Sequence, residues 1–418
     1  MADDREVGSG LAQRLVNPLR RFVHDEAAGG VVLLMATVAA LVWANSPAAA
    51  GYEGLWNFRL TVGAGPVAVT EDLRHWVNDG FMALFFFVVG LEIKRELVVG
   101  ELRDRRAAAL PALAALGGVL LPALLFLLLV GGGPEGRGWG IPLATDIAFA
   151  VGVLAVLGSR IPAGAKLFLL SVAIVDDIIA VGIIAVVYTD ALDGGWLLAA
   201  VGALVVVAVM RWAGVASVAA YVPVGLFVWY ATLHSGVHAT IAGVVLGLMT
   251  PARPVDGRGV LDSLQHNLHP ITAFTVVPLF ALANAGVDLR GGVLGDAVGS
   301  QVAWGVLVGL LVGKVVGIGG VTWLALRLRL GTLPTGMPMR LVWGVAALAG
   351  IGFTVSLFIA DLAYTDPVLI THAKVGIFAA SAVAAVLGSG LLIGLTRRSA
   401  TAAHGPARTA EKEEDGGG

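Results

Sequence analysis

Between Leu167 and Val187 the chain reads LFLLSVAIVDDIIAVGIIAVV, an almost wholly apolar run with Asp176 and Asp177 side by side near its centre. A helix needs about 20 apolar residues to cross a bilayer, and this run supplies them. A carboxylate at that depth costs about 2.5–3.5 kcal/mol on insertion scales. Two of them add mutual repulsion. Neighbouring side chains on a helix point roughly 100° apart, so one carboxylate can face a watery cavity while the other meets a neighbouring helix. A DDxxD metal motif of a soluble enzyme is excluded, because Ala180 stands where its last aspartate belongs. The pair reads as an ion or proton site inside a membrane.

Composition agrees with a membrane setting. Of 418 residues, 57% are hydrophobic and 13% charged, with a mean hydropathy of +0.87. That is a chain of many spans. The net charge of −2 suggests no nucleic-acid partner, and the lack of cysteine excludes disulfides and thiolate metal sites. The opening MADDREVGSG is not a cleavable signal peptide. Lysine is scarce, present only as Lys94, Lys166, Lys314, Lys374 and Lys412. A lysine inside an apolar run here points to chemistry that arginine cannot do, since lysine can lose its proton when buried.

Hydropathy divides the chain into a polar segment 1–28, a membrane domain 29–396 and a disordered tail 397–418. Leu11, Leu15 and Leu19 suggest a short interfacial helix. About twelve spans follow, helical throughout. They run Gly29–Asn45, Leu73–Val99, Arg106–Val130, Trp139–Leu157, Leu167–Val187, Gly195–Met210, Ser217–Ala231, Gly236–Met249, Leu261–Ala285, Trp304–Leu326, Leu341–Leu362 and Thr371–Leu395. In the loop after the first, FRLTV-GAG-PVAVT reads as a small β-hairpin. Basic residues gather on one side of this map, at Arg5, Arg14, Arg20, Arg21, Arg103, Arg105, Arg106, Arg160, Lys166, Arg211, Arg253, Arg258, Arg327, Arg329 and Arg340. The opposite loops offer Arg59, Arg74, Arg137 and Arg290. The positive-inside rule then puts both termini in the cytoplasm.

Two spans carry break signals. The fourth contains GIPLATDIAF, where Pro142 removes a backbone donor and Thr145 and Asp146 can satisfy freed backbone groups. The eleventh contains Gly350-Ile351-Gly352 followed by Thr354. Interrupted helices in corresponding positions suggest an inverted-repeat transporter with its site at the midplane; a kinked helix with a structural aspartate is the plainer reading of the fourth. Lys314 sits in GLLVGKVVGIGG, where Gly309, Gly313 and Gly317 form a small-residue face for close helix contact. Its natural partner is an aspartate of the fifth helix. Asp79 lies nearer one end of its span, where a gate and a structural role are equally open. His238, His266 and His269 could titrate near neutrality or simply bond locally.

FFFVVGLEIKREL, IPLATDIAFAVGVLAVLGSR, AIVDDI, SGVHATIAGV, PLFALANAGV and GIGFTVSLFIA, in this order and spacing, resemble the NhaA-type sodium/proton antiporters over about residues 20–396. The resemblance implies twelve spans, with spans three to five and ten to twelve as inverted repeats and the fourth and eleventh broken and crossing. It implies exchange of cytoplasmic Na⁺, and also Li⁺, for external H⁺, pH-regulated and electrogenic. No cofactor is implied, and the chain is not an enzyme. Asp177 would be the principal sodium ligand, with Asp176 contributing as the partner of Lys314, and Asp146 and Thr145 polar groups of the crossing. Asp79 would lie toward the outward side. Glu92, Arg95, Glu96, His238, His266 and His269 would serve the pH response. Where the family pattern has glutamate, this chain has Gln265, one titrating group fewer. The 57–70 hairpin would pair two copies into a homodimer in the inner membrane. Three other classes fit less well. An intramembrane aspartyl protease needs aspartates on separate helices and a GxGD pattern. A channel gives no role to a buried lysine partner, and a structural subunit would tolerate neutral residues at 176, 177 and 314.

Overall fold

The computed structural model describes residues 26–63, 65, 68–189, 192–215, 217–252 and 259–403. The expected interfacial helix around Leu11–Leu19 lies outside them, as does the tail beyond Ala403. Every stretch read as a span is mainly helical. In order, the helices are α1 (Glu26–Ala44), α2 (Ala49–Trp56), α3 (Met82–Val98), α4 (Arg105–Val130), α5 (Ile147–Leu157), α6 (Ala163–Val187), α7 (Gly194–Trp212), α8 (Val218–His234) and α9 (Thr240–Met249). They continue as α10 (Val260–Ile271), α11 (Val277–Asn284), α12 (Val293–Gly299), α13 (Gln301–Val308), α14 (Lys314–Arg327), α15 (Met339–Leu348), α16 (Phe353–Ala363) and α17 (Pro367–Ala403). The last helix runs past the expected boundary at 396.

Among the described residues six helices are long and apolar enough to cross a bilayer, or up to eight if two bent pairs each count as one span. The bent pairs are Ala28–Ala44 with Ala49–Trp56, at 116°, and Met339–Leu348 with Phe353–Ala363, at 50°. Three of the other stretches are lengthened or joined by π-helical turns. Trp76–Phe81 leads into α3, Thr272–Val276 joins α10 to α11, and Gly309–Gly313 joins α13 to α14. Large apolar side chains such as Leu120, Leu128, Val186, Leu198 and Val386 are exposed along several helices. Surface of that kind marks contact with something other than water, and a hydrocarbon layer meets the need along whole helices.

The expected hairpin is present as β1 (Arg59–Val62) and β2 (Val69–Asp72). The strands are antiparallel, pairing Arg59 with Asp72 and Val62 with Val69. Trp76 Nε1 donates to Leu60 O at 3.0 Å, tethering the hairpin to the start of the second span. β1 is exposed along its whole length.

The small-residue face read in the tenth span does what its spacing suggests. A Cβ on Gly309 would lie 2.7 Å from Pro142 Cβ, and one on Gly313 would lie 2.7 Å from Pro122 Cα. A Cβ on Gly317 would overlap the Gly117 carbonyl of α4. α14 therefore lies directly on α4 and beside the broken fourth span, which brings Lys314 to the middle of the molecule, fully buried. Gly320, on the same helix, has nothing within 4 Å of a built Cβ. Gly317→Leu should therefore lower the thermal midpoint of the detergent-purified protein sharply, since overpacking against backbone costs about 1–3 kcal/mol or more. Gly320→Leu should leave the midpoint level or raise it slightly, leucine being the better helix former by up to about 1 kcal/mol.

Candidate functional site

The fourth span is broken as its sequence suggests. It begins as a 3₁₀ segment, Glu135–Leu143, and resumes as α5 at Ile147. Between them the chain is extended, with Ala144 at ψ 148° and Asp146 at φ −76°, ψ 98°. The eleventh is broken between Leu348 and Phe353, where α15 gives way to α16. The two breaks meet. Asp146 N donates to Ile351 O at 2.7 Å, and the Thr145 hydroxyl lies 2.9 Å from Ala349 O. Backbone groups freed by one break are thus satisfied by the other, which is what allows irregular backbone at membrane depth.

Asp146 holds the crossing together. Its Oδ1 accepts from Phe149 N at 3.0 Å, capping α5. Its Oδ2 accepts from Thr354 N at 3.0 Å and from the Thr354 hydroxyl at 2.6 Å, capping α16. One carboxylate therefore faces two helix N-termini, each carrying about half a positive charge. Thr354 was read only as part of a break signal; its bond to Asp146 joins residues too distant in sequence for any local pattern to reveal.

Beside this crossing lies the pair expected from the lysine bias. Lys314 Nζ stands 2.6 Å from Asp176 Oδ2, both side chains fully buried. The Thr145 hydroxyl lies 2.9 Å from the same oxygen. Its single proton can serve Asp176 or Ala349 O, not both at once. Asp176 Oδ1 is buried without a partner. Asp177 is 7% exposed. Among the described residues its carboxylate takes part in no hydrogen bond or ion pair. Three carboxylates, Asp146, Asp176 and Asp177, thus face one ammonium, Lys314, leaving a surplus of two negative charges when all are ionised.

A cleft of about 290 Å³ approaches from the α3 and α10 side. Glu92, Arg95, Glu96, Gln265 and His269 line its mouth. Ile147, directly after Asp146, and Ile174, one turn before Asp177, also line it. Arg95 Nη1 reaches Gln265 Oε1 at 3.5 Å, and its Nε lies 4.0 Å from Asp262. Glu96 Oε2 accepts from Glu101 N at 3.1 Å. The other expected residues lie apart. His266 is exposed on α10 and does not line the cleft. His238 is at the opposite end of the helices, with Nε2 2.6 Å from Tyr188 O. Asp79 is at that end too, its carboxylate 2.9 Å from His75 Nε2. Beside it Asn78 and Asn284 exchange amide hydrogen bonds at 3.4 and 2.8 Å. A second ion pair, from buried Lys374 Nζ to half-buried Asp361 Oδ1 at 2.8 Å, escaped the sequence reading; the scarcity of lysine that singled out Lys314 was the available signal.

The pattern of the Na⁺/H⁺ antiporter 1 family matches residues 20–392. The chain belongs to that family. Over 381 residues it is 46% identical to the Na(+)/H(+) antiporter NhaA of Serratia proteamaculans, covering 90% of this chain and 98% of that protein. The NhaA of Yersinia pseudotuberculosis strain IP 31758 is also 46% identical, over 90% of this chain and 96% of its own length. NhaA 2 of Pseudomonas putida is 46% identical, with 90% and 93% covered. The antiporter family accounts for the all-helical membrane architecture.

The buried pair gives a stability prediction. Lys314→Ala strands a carboxylate and should destabilise the purified protein by about 3–5 kcal/mol. Adding Asp176→Asn should recover much of that loss, as read by thermal unfolding in detergent.

Proposed function

We propose that the chain works as an electrogenic exchanger in which sodium and protons compete for one set of carboxylate oxygens at the helix crossing. Membership of the antiporter family makes it a multi-pass membrane transporter exchanging Na⁺ for H⁺, and not an enzyme. The observation that carries the finer reading is Asp177, the acidic side chain at the crossing that no neighbour engages. Sodium is a hard cation and takes oxygen ligands. Asp177 is offered as the principal one, with Asp176, the Thr145 hydroxyl and carbonyls of the breaks nearby. Lithium, harder still and oxygen-seeking, fits the same donors.

The charge surplus supports exchange of unequal charge. A buried site with two excess negative charges is costly to leave empty. Counted as formal side-chain charges, apart from the helix ends that Asp146 faces, two protons neutralise it, whereas one sodium leaves a single charge uncompensated. If the occupied forms alone cross between the two faces, each cycle carries more protons than sodium ions. The distribution of arginine and lysine supports about twelve spans with both termini cytoplasmic. In that orientation the cleft of Glu92, Arg95, Glu96 and His269 opens to the cytoplasm. It is then the sodium entrance, in the inner membrane of the cell. Its titratable lining suits a pH-dependent gate, with Gln265 in place of a further acid. His238 and His266 stand away from it, so a part for them in pH response would act at other points of the fold. The hairpin 57–70, whose strand β1 is exposed, is the proposed homodimer contact, and Asp79 with His75 marks the outward mouth.

Asp177→Asn should abolish sodium-dependent dissipation of ΔpH in everted vesicles; undiminished exchange would sink the assignment. In the native chain the apparent KM for sodium should rise about tenfold for each pH unit lowered where one proton competes, and more steeply where two do. That follows from proton occupancy scaling with proton activity. Gln265→Glu should move the pH profile of exchange, and coincident profiles would show that Gln265 does not set it.

A further inference from the structure

The outward half of the broken fourth span is held by side-chain hydroxyls. The 3₁₀ segment Glu135–Leu143 bonds poorly to itself, as 3₁₀ geometry does. Three of its carbonyls are instead met from outside. The Tyr364 hydroxyl donates to Glu135 O, the Tyr188 hydroxyl donates to Arg137 O at 2.8 Å, and the Ser356 hydroxyl donates to Ile141 O at 2.8 Å. Tyr188 Oη also accepts from Gly140 N at 3.2 Å. Both tyrosines are nearly fully buried, at 3% and 4% exposure. A Cβ on Gly138 would overlap the Tyr364 hydroxyl, and one on Gly140 the Tyr188 hydroxyl. The two glycines are what let both rings close on the backbone.

The tyrosines sit at telling places. Tyr188 ends α6, the helix of Asp176 and Asp177, and Tyr364 ends α16, the helix of Thr354. Each lies about 15–18 Å along its helix from the site residues, at 1.5 Å per residue. A shift of either helix therefore pulls on the 3₁₀ segment, whose far end leads into Thr145 and Asp146. Hydroxyl bonds suit a part that must move, because water can replace them one for one as a passage opens.

We propose that Tyr188 and Tyr364 are positioning residues that latch the 3₁₀ half of the fourth span shut over the outward face of the site. The pair biases the exchanger toward the form open at the Glu92–His269 cleft. This rests on the orientation proposed above, which puts Arg137, and with it the start of that segment, on the outer side. His238, bonded to the Tyr188 carbonyl, steadies the same corner.

The absence of cysteine makes a labelling test direct. Ile141 is fully buried in the 3₁₀ segment, so Ile141→Cys reports its opening to a membrane-impermeant maleimide. The reporter would be combined with Tyr188→Phe, Tyr364→Phe, both together, and Tyr221→Phe as control, since the Tyr221 hydroxyl bonds Val215 O elsewhere. Labelling in right-side-out vesicles should rise about two- to tenfold for each latch hydroxyl lost, the range set by one hydrogen bond. The apparent KM for sodium at the cytoplasmic face should rise by a smaller factor, since the cytoplasm-open form starts as the major one, without a fall in kcat, and the control should change neither. Unchanged labelling in the double variant, or an equal rise in everted vesicles, overturns the latch. A rise confined to everted vesicles overturns the orientation instead. Loss of exchange in the unmodified chain overturns the transport reading alone, because the labelling is read without transport.

Discussion

A buried charge must meet an opposite charge, a hydrogen-bond donor or a proton, and this molecule is built around that demand. The 2.6 Å contact between Lys314 and Asp176 is its centre. It requires three helices to converge: α6 to bring the acid, α14 to bring the lysine, and the broken fourth span to bring Thr145 alongside. The convergence requires in turn that α14 lie against α4 and the broken span, which the missing side chains of Gly309, Gly313 and Gly317 permit. A methyl group at any of the three would overlap Pro142, Pro122 or the Gly117 carbonyl and force that packing to shift.

The two helix breaks follow from the same demand. An uninterrupted helix consumes its own backbone groups and offers an ion nothing but side chains. Breaking two spans where they cross frees carbonyls and amides at the depth of the carboxylates. Asp146 then offsets the two helix N-termini this creates, and does so with both oxygens. It is spoken for by structure, and Asp176 is largely spoken for by Lys314. Asp177 is left over. In the reading proposed above, this separation of duties among three acids within one small volume leaves Asp177 as the group offered to a cation.

The cleft and the 3₁₀ segment lie on opposite sides of this centre. The first is polar and open, with an arginine, two glutamates and a histidine among its lining groups. The second is closed by tyrosine rings packed on glycine backbone. Such an asymmetry suits a carrier at rest with one face accessible, and it puts the moving parts in the irregular backbone where fewest internal hydrogen bonds must break.

Much of this was legible in the chain itself. Paired aspartates in an apolar run, a lone lysine among glycines, and proline or glycine breaks in two spans are local signals. Each has a local physical cause: burial cost, close packing, or loss of a backbone donor. What the sequence could not say is which groups would meet. That Asp146 caps α16 as well as α5, that Asp361 pairs with Lys374, that His238 sits with Tyr188 and away from His269, and that two tyrosines grip the 3₁₀ segment all depend on contacts between residues far apart in the chain. Periodicity reports the environment a side chain needs. Only the packed helices decide which neighbour satisfies it, because in a membrane nearly every helix face is apolar and the pattern alone does not choose between them.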